Sequence, residues 1–100
     1  MISIFEIREI YGDENLPSIK DLTRERIPEN KDEILDYLKR GSVIAVAAGR
    51  ATDFISGETI DGDFFCYSDG KYIWRSDTIY FFERYNIELP KDFVEHALKN

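Results

Sequence analysis

Tyr67–Tyr85, YSDGKYIWRSDTIYFFERY, holds seven of the chain's 14 aromatic residues, and Phe64 and Phe65 stand just before it. Whether this stretch is a recognition surface or a core decides the fold. Asp69-Gly70 between two aromatic runs is a hairpin signal, because a two-residue type I′ turn requires positive φ at both centres. A turn on those two residues sets Tyr67 opposite Tyr72, Cys66 opposite Ile73 and Phe65 opposite Trp74. Side chains alternate across a strand. One face then carries Phe65, Tyr67, Tyr72 and Trp74, and the other carries Phe64, Cys66 and Ile73. Ser76 or Asp77 is placed to cap a helix over 77–85, with Ile79, Phe82 and Tyr85 on one face and Asn86 at its left-handed stop. Large aromatics at these spacings read as core, with only the hairpin tip, Ser68–Tyr72, left as a contact.

Working outward, Asn30 and Glu33 suit a capping box opening a helix over 31–40, with Ile34, Leu35 and Leu38 as its apolar stripe and Gly41 as its stop. Ser42–Ala48 lacks alternation and lies between glycines, which predicts a central strand buried on both faces. Residues 49–62 form a connection with a short strand around 53–56. Pro90 suits the first turn of a last helix over 90–98, whose apolar side is Phe93, Val94, Ala97 and Leu98. Residues 2–11 fit a strand by their Ile and aromatic content and a helix by the spacing of Ile7, Ile10 and Tyr11. Residues 12–29, rich in charge and punctuated by Gly12, Pro17 and Pro28, read as loop with a short helical turn. The expected fold is α+β: a small antiparallel sheet with the central strand at about 42–48 and the hairpin at about 63–75, packed against helices 31–40, 77–85 and 90–98.

One hundred residues make a single domain with a thin core. The longest apolar run, Val43–Ala48, is far short of the ~18 residues a membrane span needs. No basic segment precedes the apolar residues of the first stretch, MISIFEIRE, so no signal peptide is expected. Cys66 is the only cysteine, which fits a reducing, cytoplasmic location and a buried apolar role. A formal charge of −7 argues against direct nucleic-acid binding and suits a basic protein partner.

Catalytic and metal-ligating patterns are sparse. His96 is the only histidine, so no His pair is available for zinc, and it reads as a half-buried helix residue. Gly57–Gly62 lacks the Lys-Ser/Thr of a phosphate loop. Asp61-Gly62-Asp63 lacks the further ligands of a calcium loop. No cofactor and no catalytic residue is expected. The acids of the connection, Asp53, Glu58, Asp61 and Asp63, have no local helix dipole to serve, unlike Glu29, Asp32, Glu33 and Asp36 around the first helix.

Ser68–Leu98, with Asp69-Gly70, Trp74, an aromatic helix and Leu89-Pro90-x-x-Phe93, together with Tyr37–Gly41, resembles small bacterial immunity proteins encoded beside polymorphic or contact-dependent toxins. This chain departs from their pattern in having Phe81 and Phe82 after Tyr80, where paired Tyr is common, and Arg75 where Pro often follows Trp. The resemblance implies a cytoplasmic protein that neutralises a secreted toxin domain, such as a nuclease, without catalysis. The candidate contacts are Asp53, Glu58, Asp61 and Asp63, with Tyr72 near the hairpin tip. The alternative is a small regulatory or adaptor module that binds a peptide or its own kind through the edge of the hairpin.

Overall fold

The computed structural model describes residues 1–100. Its elements are β1 (Ile2–Ser3), α1 (Arg8–Tyr11), α2 (Ile19–Leu22), α3 (Lys31–Lys39), β2 (Ser42–Ala47), β3 (Phe64–Ser68), β4 (Tyr72–Arg75), α4 (Ser76–Tyr85) and α5 (Lys91–Lys99). The class is α+β, as the sequence predicts. The strands form one sheet in the order β1-β4-β3-β2. It is mixed rather than purely antiparallel, because β1 runs parallel to β4.

The hairpin forms with a different register. Tyr67 lies opposite Trp74, and Ser68 opposite Ile73. The turn is centred on Gly70-Lys71, and only Gly70 has positive φ, 99°, the pattern of a type II′ turn. The cause is Asp69, whose Oδ1 accepts the N–H groups of Lys71 (2.9 Å) and Tyr72 (2.7 Å) and so holds Asp69 at the turn's entry. The shift is an even number of residues, so the two faces keep the predicted sets. Tyr72 and Trp74 are buried, with ring centroids 5.2 and 5.5 Å from that of Phe93 on α5. Cys66, on the opposite face, is half-buried rather than buried.

The strand expected at the centre of the sheet is its edge. β2 pairs only with β3, and every one of its residues is exposed. The missing alternation has another source. Val43 lies opposite Tyr67 while Ala45 lies opposite Cys66, so Ile44 is the extra residue of a β-bulge. The central positions belong to β3 and β4.

Both readings of residues 2–11 are realised in succession: β1, then buried Ile4, Phe5 and Ile7, then α1. No strand forms at 53–56; a single bridge joins Thr52 to Thr59. Asn30 precedes α3 in the left-handed region (φ 58°) with no capping hydrogen bond. The start of α3 is tied instead through Lys31 Nζ, which donates to the Glu83 carbonyl (2.8 Å) and Asn86 Oδ1 (2.6 Å).

Neither Ser76 nor Asp77 caps α4. Ser76 Oγ accepts from Phe65 N–H (3.0 Å), Asp77 pairs with Arg75, and Thr78 Oγ1 accepts from Arg75 N–H (3.1 Å). The buried face of α4 is Asp77, Thr78, Phe81 and Phe82, while Ile79 and Tyr85 are half-buried. Asn86 ends α4 in the left-handed conformation, φ 54°. Pro90 sits one residue before α5, at its cap. Phe93 and Ala97 are buried on α5, and Leu98 is exposed.

Gly41 has a role that helix termination does not describe. Arg40 already closes α3. A Cβ on Gly41 would stand 2.6 Å from Trp74 Cζ2 and 3.1 Å from Tyr67 Cβ. Gly41→Ala should therefore lower unfolding stability by about 1–3 kcal/mol through overpacking, read as a lower urea midpoint at unchanged m-value; an unshifted midpoint would show that the indole yields freely.

Candidate partner-binding surface

The connection from β2 to β3 is built around one carboxylate. Asp53 is 0% exposed. Its Oδ1 accepts from Ile55 N–H (2.9 Å) and Ser56 N–H (3.0 Å), forming the turn that Gly57 N–H closes onto the Asp53 carbonyl (2.8 Å). Its Oδ2 accepts from the hydroxyls of Tyr80 and Tyr85, both at 2.7 Å. The neighbouring Phe54 ring stacks on Phe81, with centroids 6.3 Å apart. The loop is thus fastened to α4 by two tyrosines and an aromatic stack. Burial alone would raise the Asp53 carboxyl. The donors Tyr85, Ser56, Tyr80 and Ile55 outweigh it and hold the group far below the ordinary carboxylate range.

Asp53 is therefore a buried anchor and is not available as a contact. Tyr72 is also buried, in edge contact with Phe93 and His96. The remaining candidates, Glu58, Asp61 and Asp63, are exposed on one loop. The Asp61 side chain is 99% exposed and lies 3.3 Å from Arg50, and Glu58 stands 3.9 Å from Arg84. Asp63 has no ion-pair partner. The anchor presents these acids without using them.

Two features were not anticipated from the sequence. The first is the apolar edge, with Val43, Ile44 and Val46 all exposed. The second is a polar cluster under the hairpin tip. Asp69 Oδ2 accepts the Tyr37 hydroxyl and lies 3.0 Å from His96 Nε2. Burial and this hydrogen bond push the Tyr37 hydroxyl up to about 12. Burial opposes ionisation of Asp69, but Tyr37 and the turn amides outweigh it and hold that carboxyl below its usual value. At Asp77 burial prevails over the Arg75 guanidinium and pushes the carboxyl up.

No group of three or more His, Cys, Asp or Glu converges on a metal-sized site, and no helix is long and apolar enough to cross a membrane. Comparisons with family models, curated proteins and solved structures found no match to the chain.

Asp53 binds its proton less readily in the folded chain than in the unfolded one. Its contribution to stability is complete above the ordinary carboxylate pKa, about 4, and is lost progressively as pH falls below it. Asp69 acts in the same direction, and Asp77 in the opposite one. Urea midpoints measured between neutral and strongly acidic pH should fall, and Asp53→Asn should flatten the acid limb. An Asp53→Asn profile parallel to wild type would refute this assignment. Tyr85→Phe, which removes one charged hydrogen bond from a half-buried hydroxyl, should cost roughly 1.5 kcal/mol at neutral pH.

Proposed function

We propose that this chain is a non-catalytic immunity protein that occludes a basic surface of a toxin domain through Glu58, Asp61 and Asp63. The observation that carries this reading is the held acidic loop. Three exposed carboxylates lie on the loop that continues from a turn held from beneath by Asp53, Tyr80 and Tyr85. A loop already ordered loses little conformational entropy when it binds. The net charge of −7 favours encounter with a basic partner. A nuclease domain, which must hold phosphates, offers such a surface. Asp53 serves as a positioning residue. Tyr72 contributes through the packing of the hairpin and makes no contact with the partner.

The test is co-expression with the C-terminal domain encoded by the adjacent upstream gene. Co-purification and rescue of growth are expected. The triple charge reversal Glu58→Lys, Asp61→Lys, Asp63→Lys should slow association by roughly tenfold or more and weaken its salt dependence. Reversal of a distant exposed acid, Glu14→Lys, should leave it unchanged. Failure of the wild-type chain to bind or protect would sink the reading, and equal effects of the two reversals would remove the loop from it.

A further inference from the structure

Arg84 lies on α4, one helical turn from Tyr80 and next to Tyr85, the two residues whose hydroxyls reach Asp53. Its Nη1 donates to the Tyr80 hydroxyl oxygen at 2.7 Å. Its Cζ stands 5.8 Å from the centroid of the Tyr80 ring and 5.5 Å from that of the Tyr85 ring, both within the range of cation–π attraction. The tyrosines that hold the Asp53 turn therefore also hold this guanidinium. Asp53 receives their hydroxyls directly and makes no hydrogen bond to Arg84.

Neutral groups hold Arg84 in place, and this separates it from other paired arginines of the chain. Arg40, Arg50 and Arg75 each have a carboxylate oxygen within 3.3 Å. For Arg84 that oxygen is Glu58 Oε1, at 3.9 Å, too far for a hydrogen bond. A guanidinium carries several N–H donors in a planar fork. In Arg84 only the bond to Tyr80 uses one of them within the chain. The side chain is 50% exposed. It is thus an oriented cation with open donors, standing beside the acidic loop. Such a fork matches a carboxylate in two parallel hydrogen bonds, and a side chain already held loses little rotamer freedom in making them.

We propose that Arg84 is a specificity-determining contact, taking a carboxylate of the partner that stands among the basic groups facing the acidic loop. This contact rests on the reading of the chain as an immunity protein and adds a requirement that net charge does not contain. A uniformly basic surface would bring a cation against Arg84 and meet like-charge repulsion. A surface with one carboxylate at that point satisfies both signs. Specificity is a difference of affinities, and an element that repels the wrong surface widens it. Glu58, 3.9 Å from Arg84, sets the spacing at which the two signs must alternate on the partner.

The experiment measures association and dissociation rates of the purified chain with the C-terminal domain encoded by the adjacent upstream gene. Arg84→Ala removes one positive charge and takes the net charge from −7 to −8; Arg84→Glu also adds a negative one and takes it to −9. Attraction by net charge alone would make both variants associate faster and bind more tightly. A carboxylate opposite Arg84 reverses that order: dissociation should quicken by roughly tenfold for alanine and by more for glutamate. Arg84→Lys keeps the charge without the fork and should fall between wild type and alanine. Lys99→Ala removes the same charge from the exposed end of α5 and should leave dissociation unchanged. Far-UV circular dichroism and the urea midpoint establish that each variant is folded; should Arg84→Glu unfold beside Glu58, the alanine and lysine variants carry the test. Wild-type binding, with Arg84→Ala dissociating no faster than Lys99→Ala, overturns this assignment and leaves the immunity reading standing. A wild-type chain that does not bind overturns both.

Discussion

The Trp74 indole connects the three parts of the molecule. Its Nε1–H donates to the Leu38 carbonyl at 3.0 Å, a terminal α3 carbonyl that also accepts the Gly41 N–H at 3.4 Å. Its ring meets Tyr37 of α3 and Phe93 of α5. The hydrogen bond fixes where α3 ends relative to β4, and the flat indole edge then limits which residue can succeed the helix. Only a residue without a side chain fits between Trp74 and Tyr67, and that residue is Gly41. The chain therefore leaves α3 already alongside β3. Since β4 is flanked by β1 and β3, the next strand is laid on the free side of β3. The exposed position of β2 is thus a consequence of the contact at Trp74.

A domain of this size has few residues to spare for an apolar interior. Only 19 of 100 are buried, and four of those are polar. Ionised or polar groups extend the packed region where apolar ones run out. Asp53 gathers two tyrosine hydroxyls over a loop, Asp69 gathers Tyr37 and His96 under the hairpin, and Asp77 holds Arg75 at the strand-to-helix junction. No buried side-chain nitrogen or oxygen lacks a partner. Such networks penalise partial formation, because each member left alone is an unsatisfied group in low dielectric. The tyrosines of the aromatic stretch serve this purpose with their hydroxyls while their rings pack.

Much of the fold arises from local pattern, and the departures share a physical origin. The hairpin, the three longer helices, the two faces of β3–β4 and the stop at Asn86 are legible because turn chemistry and apolar spacing act within a few residues. The turn register is not, because Asp69 uses its side chain to bind its own backbone and so takes the entry position. The run 42–48 is ambiguous in principle. A strand buried on both faces and one exposed on both faces each lack alternation, and a bulge removes what alternation remained. For the candidate site, composition identified the acidic loop but could not rank its members. Asp53 differs from Glu58, Asp61 and Asp63 through its own turn amides and through Tyr80 and Tyr85, which lie about thirty residues further along the chain.

That difference bears on how a small acidic protein acquires specificity. An acid exposed on a mobile loop attracts any basic surface, and net charge alone discriminates poorly. A buried acid that fixes the loop converts the same charge into a defined spacing of carboxylates. The stabilising and the presenting acids must then be different residues, since one hydrogen-bonded from all sides has no lone pair left to offer.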